Sequence, residues 1–281
     1  MYKHWSFSPT DNTYTGDGAR EVFKALPPGF YKFTIDRFGQ PQAQGLPLRK
    51  DKLCHFMHGP LDNVLKEVHA FWDNNDAYAR LGLTHKRGIL LHGPAGCGKS
   101  AIINSIIEDV VGRKGVAVQV NDIYEDNFRS VIPMFRQIQP ESQIVAILED
   151  IEQHVLAGDE EELLDLLDGA SSTGDGVLFV CTTNNLKKIP FRIRCRPSRI
   201  DTLIEIGLPT EEQRREYVKF LAGELLKKDQ LAEMVSLTND LHFSLADMKE
   251  LVISVVVFKK TIEQSVQRLK DAKAEEEKEE E

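Results

Sequence analysis

The stretch Gly93-Pro94-Ala95-Gly96-Cys97-Gly98-Lys99-Ser100 decides the fold. It fits the pattern G-x-x-x-x-G-K-[ST]. Its glycines let the backbone curl until successive N–H groups face one centre, which makes an anion nest. A helix opening at Ser100 adds its positive end to that nest. Lys99 brings an ammonium to the β- and γ-phosphates of a nucleotide, and Ser100 offers its hydroxyl to Mg²⁺. On average residue frequencies, a chance match somewhere in the chain is roughly 1 in 100. The flanks agree with the motif. Residues 88–92 form a short apolar run, and residues 100–111 carry Ile102, Ile103, Ile106, Ile107, Val110 and Val111 on one side. A strand, a phosphate loop and an amphipathic helix in that order point to a bound nucleotide with Mg²⁺.

Working outward, apolar runs at 116–120, 144–148, 177–181 and 203–206 read as further strands, and 61–79 and 160–167 as helices. Five short apolar strands separated by helices predict an α/β fold, a five-stranded parallel sheet covered on both faces. A triphosphate site of this kind needs a carboxylate at the end of a neighbouring strand. Ile144-Val145-Ala146-Ile147-Leu148-Glu149-Asp150 supplies an apolar strand ending in two acids, one to organise Mg²⁺ and one to polarise the attacking water. The next strand ends in Cys181-Thr182-Thr183-Asn184-Asn185, where an amide is able to orient that water. Lys187, Lys188, Arg192, Arg194, Arg196 and Arg199 then fall within thirteen positions. Such a run suits a solvated basic face, a nucleic-acid patch, or arginines presented to a nucleotide on a neighbouring subunit. The last reading is favoured, since an arginine finger is worth about 10³–10⁵ in rate.

After Gly207-Leu208-Pro209 the strands stop. Thr210-Glu211-Glu212-Gln213 and Ser244-Leu245-Ala246-Asp247 read as helix-opening capping boxes. A single long helix is expected over 245–269, followed by a frayed, solvated acidic end. The first fifty residues carry scattered Gly and Pro and one hairpin candidate, with strands at 30–36 and 44–50 around a turn at Phe38-Gly39-Gln40-Pro41. The expected organisation is therefore a small N-terminal β-containing accessory module at 1–50, the α/β domain at 51–208, a helical lid at 209–270 and an acidic tail at 271–281.

Length and composition fit this plan. At 281 residues the chain has room for about two domains. Charged residues are 28% of it and the net charge is −9, which disfavours generic nucleic-acid binding. Residues 270–281 hold seven acids and three bases, so −4 of that charge lies in the tail. The four cysteines, Cys54, Cys97, Cys181 and Cys195, show no close pairing and read as reduced thiols. No apolar leader or membrane-length run occurs in these residues, so a cytoplasmic protein without a membrane partner is expected. Cys54-His55-Phe56-Met57-His58 lacks convergent partners and reads as a connector, not a metal site. Cys97 lies inside the phosphate loop, so its modification is expected to block nucleotide.

With those residues in hand, the segment from Leu61 to Asp247 resembles the AAA family of P-loop ATPases. Gly93 to Ser100 is similar to Walker A and 144–150 to Walker B. Asn184 is similar to sensor 1, and Arg196-Pro197-Ser198-Arg199-Ile200-Asp201 to the arginine-finger segment. Ser244-Leu245-Ala246-Asp247-Met248 resembles the family's lid stretch, without a sensor-2 arginine. The Leu148-Glu149-Asp150-Ile151-Glu152 run, Leu166-Leu167-Asp168-Gly169-Ala170-Ser171-Ser172 and Thr182-Thr183-Asn184 most resemble the mitochondrial Rieske-protein translocase (Bcs-type) subtype, here without its membrane anchor.

This resemblance implies a homo-oligomeric ring, hexamer or heptamer, hydrolysing ATP at its subunit interfaces. Ser100 and Glu149 then organise Mg²⁺, Asp150 polarises water, Asn184 positions it, and Arg196 and Arg199 act in trans. Ala101, Ala246, His58 and Gly59 are implied near the nucleotide, the last two against adenine. The Glu-then-Asp order leaves the water-polarising carboxylate shorter than Glu by one C–C bond, about 1.5 Å, so slow turnover or a relayed water is expected. Tyr124 and Phe128 are expected in the core, not as a peptide grip. The expected role is remodelling or translocation of a protein partner or adaptor recognised by residues 1–50. The alternatives are a nucleic-acid motor or loader, and a nucleotide-gated scaffold with very slow hydrolysis.

Overall fold

The computed structural model describes residues 4–8, 12–17, 25–48, 54, 56, 59–121, 123, 127–168, 176–196, 199–239 and 241–280, without the side chains of 4, 6–8, 16–17, 127 and 276–280. The chain divides into two compact units. One holds residues 1–51, 62–92 and 100–205; the other holds 52–61, 93–99 and 206–281.

The first unit is built on one nine-stranded sheet. Its strands are β1 (His4–Ser8), β2 (Thr13–Asp17), β3 (Gly29–Ile35), β4 (Pro41–Gly45), β5 (Lys86–His92), β6 (Val116–Gln119), β7 (Ile144–Leu148), β8 (Val177–Thr183) and β9 (Thr202–Glu205). The spatial order is β1-β2-β4-β3-β6-β7-β8-β5-β9. The five strands expected from the apolar runs are the parallel block β6-β7-β8-β5-β9. Within it β7 and β8 are buried along their whole length, as continuous Val/Ile/Leu runs require when both faces of a sheet are covered.

The helices of this unit are α1 (Pro60–Asp73), α2 (Asn75–Leu81), α3 (Lys99–Gly112), α4 (Asn127–Ile138), α5 (Glu152–Ala157), α6 (Glu160–Asp168) and α7 (Phe191–Arg194). On α3, Ile102, Ile103, Ile106, Ile107 and Val110 are buried. Burial of each is worth about 1.5–3 kcal/mol.

The N-terminal strands, expected as an accessory module, extend the expected five-stranded block: β3 pairs parallel with β6, Gly29 opposite Val116, and β4, β2 and β1 continue the same sheet antiparallel. The reason is burial. Trp5, Tyr31, Phe33 and Ala43 enter the core that surrounds Phe128, Phe135 and Phe179. Trp5 and Phe33 lie 6.3 and 5.9 Å from the Phe135 ring. The returning strand of the expected hairpin begins at Pro41 instead of Gln44.

Residues 61–79 are likewise two helices, interrupted at Asn74, whose side chain donates to the Ala70 carbonyl at 2.7 Å. That bond satisfies a carbonyl at the end of α1 and lets the chain restart as α2.

The second unit packs α8 (Glu211–Ala222), α9 (Lys228–Ser236), α10 (Leu245–Val256) and α11 (Ile262–Glu280) around Val218, Met234, Phe243, Met248, Leu251, Val255 and Val266. Both expected capping boxes are formed, at Thr210 and at Ser244. The single long helix expected from Leu245 is two, broken where Lys259 takes a φ of +57°. A signal for the restart was present: Thr261 and Gln264 exchange capping bonds at 3.2 and 3.5 Å, in the T-x-x-Q pattern. The acidic tail, expected to fray, continues α11 to Glu280. Among the described residues no helix is long and apolar enough to cross a membrane.

Candidate nucleotide site

In the second unit, the loop after β5 is shaped by glycines that no other residue replaces easily. Gly93, Gly96 and Gly98 have φ of 145, 72 and 104°. A Cβ on Gly93 would lie 2.1 Å from the Ile206 carbonyl oxygen, and one on Gly96 2.7 Å from Ser244 Oγ. The backbone can therefore curl close to its neighbours only without side chains. Lys99 is buried, and its ammonium donates to the carbonyls of Gly93 and Pro94 at 2.7 and 2.9 Å. Its charge is thus held at the centre of the loop.

Cys97 is also buried, and burial raises its thiol pKa. A protonated, enclosed thiol is a slow target for oxidation or alkylation. Pro94, Ala95 and Gly96 are exposed. The N-terminus of α10 reaches the loop directly, since Ala246 N–H donates to the Gly96 carbonyl at 3.1 Å. Asp247 closes the capping box on Ser244 N–H at 2.7 Å and holds Lys273 of α11 at 2.9 Å. Lys273 also donates to the His242 carbonyl at 3.2 Å.

In the first unit, strand register brings the acids and the amide to one edge. Leu148 pairs with Cys181, and His92 with Thr183, so β5, β7 and β8 end side by side. Ser100 Oγ donates to Glu149 Oε2 at 2.9 Å. Asp150 has a φ of +51°, a conformation that Asp tolerates better than most residues. Its N–H donates to Thr182 Oγ1 at 2.9 Å, and its Oδ1 accepts from Asn184 Nδ2 at 3.0 Å. Asn184 N–H donates in turn to Glu152 Oε1 at 2.9 Å. Glu152 and Thr182 were not among the expected site residues. The one available signal was a further acid two places after Asp150.

The basic run separates into different environments. Lys187, Lys188 and Arg196 are exposed. Arg192 pairs with Glu160. Arg199, expected to act in trans, is buried and bidentate on Asp168, and it donates to the Arg192 carbonyl at 2.9 Å. The hydrogen bond from Arg199 holds the Asp168 carboxyl below its ordinary pKa. The carbonyl of Arg199 also presses on β5, where a Cβ at Gly88 would lie 1.8 Å from it.

Phe128 is buried against Phe33 and Phe179, as expected of a core residue. Ala101 is exposed in the first turn of α3, and Ala246 is exposed beside Gly96. Gly59 is buried and donates to the Phe56 carbonyl at 3.2 Å. His55, Met57, His58, Tyr124, Pro197, Ser198 and residues 169–175 lie outside the described residues.

The donor chemistry fits the groups the motif implies. The tight glycine curl matches a phosphate cradle. A hydroxyl beside a carboxylate suits Mg²⁺, which takes few protein oxygens and completes its shell with water and phosphate.

A parallel β6-β7-β8-β5-β9 block with a phosphate loop after β5 and acids after β7 is the fold of a P-loop NTPase. Residues 89–208 match the model of the ATPase family associated with various cellular activities (AAA). The chain is 28% identical over 192 residues to the Cell division cycle protein 48 homolog of Archaeoglobus fulgidus, covering 63% of this chain and 26% of that protein. It is 28% identical over 202 residues to the Probable 26S proteasome regulatory subunit 10B of Caenorhabditis elegans, covering 66% and 49%. To the Mitochondrial chaperone BCS1 of Homo sapiens it is 26% identical over 182 residues, covering 58% and 42%. The matched region thus spans half or less of each of these relatives.

Proposed function

We propose that this protein binds ATP·Mg²⁺ and hydrolyses it at the interfaces of a ring of its own copies, driving the remodelling or translocation of a protein partner. The observation that carries the reading is the pair of side-chain bonds at the strand ends, Ser100 to Glu149 and Asn184 to Asp150. They give the two acids different partners, which supports separate tasks for them. Glu149, sharing the Ser100 hydroxyl, organises Mg²⁺, and the bound ion would neutralise charge on the transferred phosphoryl group. Asp150 polarises the attacking water, with one oxygen fixed by Asn184. Lys99 and the loop amides hold the phosphates. Nothing covalent is asked of the protein; its part is positioning and charge stabilisation.

Arg196 is the residue that serves the neighbouring site. It is exposed, whereas Arg199 is committed to Asp168 and so holds the segment in shape. A protein partner is favoured over nucleic acid by the chaperone and proteasome-subunit names of the relatives and by the net charge of −9. Burial of Phe128 argues against threading past an aromatic grip at that position.

The test is ATPase rate against protein concentration, with Arg196→Ala mixed into the unaltered protein. Specific activity rises cooperatively with concentration, and the variant poisons it by more than its share. A specific activity that is flat on dilution and merely averaged by the variant rules out the shared site.

A further inference from the structure

Glu152, at the start of α5, is buried, although carboxylates are among the residue types least often found inside unless paired. Its Oε1 accepts the backbone N–H of Asn184 at 2.9 Å. Its Oε2 is enclosed and accepts no hydrogen bond among the described residues. A half-satisfied buried carboxylate is costly, and such groups concentrate where function requires them.

The consequence of the bond that is made can be followed atom by atom. Glu152 fixes the main chain of Asn184 just beyond β8. The Asn184 side chain leaves from that fixed point and donates to Asp150 Oδ1 at 3.0 Å. Asp150 is held from its other side through its own N–H, which donates to Thr182 Oγ1. An aspartate has less reach than a glutamate by about 1.5 Å. Its orientation must then be set by neighbours, because it cannot adjust along a longer side chain.

We infer that Glu152 is a positioning residue for water activation: through Asn184 it sets the direction in which the Asp150 carboxylate points. This rests on the ATP-hydrolysis reading above. Its role is to accept one N–H bond, so the acceptor and its reach matter and the negative charge does not. That separates Glu152 from Asp150, whose charge polarises water.

The experiment compares the full chain with Glu152→Gln, Glu152→Asp, Glu152→Ala and Asn184→Ala. Three quantities are read for each: kcat, KM for ATP, and the thermal midpoint. Glu152→Asp, which keeps the charge but falls short of the N–H, lowers kcat about tenfold or more with KM within twofold, the size of a lost orienting bond. Glu152→Gln, whose amide oxygen still reaches, stays within about threefold of the unaltered kcat. The double variant Glu152→Ala, Asn184→Ala is no slower than Asn184→Ala alone, since both act on Asp150 through one path.

A Glu152→Asp protein with unaltered kcat, a Glu152→Gln protein as slow as Glu152→Asp, or multiplicative losses in the double variant each overturn the proposal. Should Glu152→Ala fail to fold, the Asp and Gln pair decides alone. Hydrolysis by the unaltered chain no faster than by Lys99→Ala removes the ATPase reading and this inference with it. Brisk hydrolysis with an indifferent Glu152 removes only the inference.

Discussion

Three glycines with φ of 145, 72 and 104° shape the loop between Gly93 and Lys99, whereas four hydrogen bonds shape the acid cluster after β7. The first is a backbone device. Its curvature follows from missing Cβ atoms, and its charge comes from the next residue along. The second is a side-chain device. It draws Ser100, Glu149, Asp150, Glu152, Thr182 and Asn184 from four elements or their ends, and no short stretch of sequence contains it. The shape of the loop is set by its glycines; the cluster distinguishes two adjacent acids by giving each a different partner.

That contrast makes the two regions fail differently. Lys99→Ala should lower kcat/KM by about 10²–10³, with loss of binding to a fluorescent ATP analogue, because the electrostatic donor proposed for the phosphates is removed. Asp150→Asn should cut turnover by a similar factor while the same titration shows the analogue still bound. If both variants lose binding alike, the proposed division between cradle and water-activating group is broken.

A smaller effect sharpens the backbone half. Gly96→Ala puts a methyl 2.7 Å from Ser244 Oγ and 2.8 Å from Ala246 Cβ, at a φ that L-residues avoid. A loss of about 1–3 kcal/mol in stability is expected, read by chemical denaturation. An unaltered midpoint would show that the N-terminus of α10 yields freely to the loop.

The smallest effect concerns the support behind that helix. Lys273 and Asp247 are 32% and 19% exposed, so Lys273→Met should cost no more than about 1 kcal/mol. The measurement is the thermal midpoint at low and high salt. The gap between variant and unaltered protein should narrow as salt screens the pair. A larger, salt-independent loss would place the contribution of Lys273 in its packing over the Phe243 ring, 5.6 Å away.

Much of the fold was legible because its signals are local. The phosphate motif, the apolar runs of β5 to β9 and the boxes at Thr210 and Ser244 each lie within a few consecutive residues. The two misread helices have one cause. Asn74 and Lys259 interrupt helices whose apolar patterns run on either side of the break, and hydrophobic period alone does not register a change of direction. Arg196 and Arg199 read alike in a basic run, yet one is exposed and the other is clamped by Asp168, which lies 31 residues earlier.

By itself, the sequence determined that a parallel sheet would carry a phosphate loop with two acids on a neighbouring strand, since residue type and spacing dictate those local structures. Only the tertiary structure decided that β1 to β4 join that sheet, that Asp150 and not Glu149 receives the Asn184 amide, and that Glu152 accepts the Asn184 N–H. These outcomes depend on which distant surfaces exclude water together and which buried polar atoms must find partners. Both conditions are met only when the whole chain has packed.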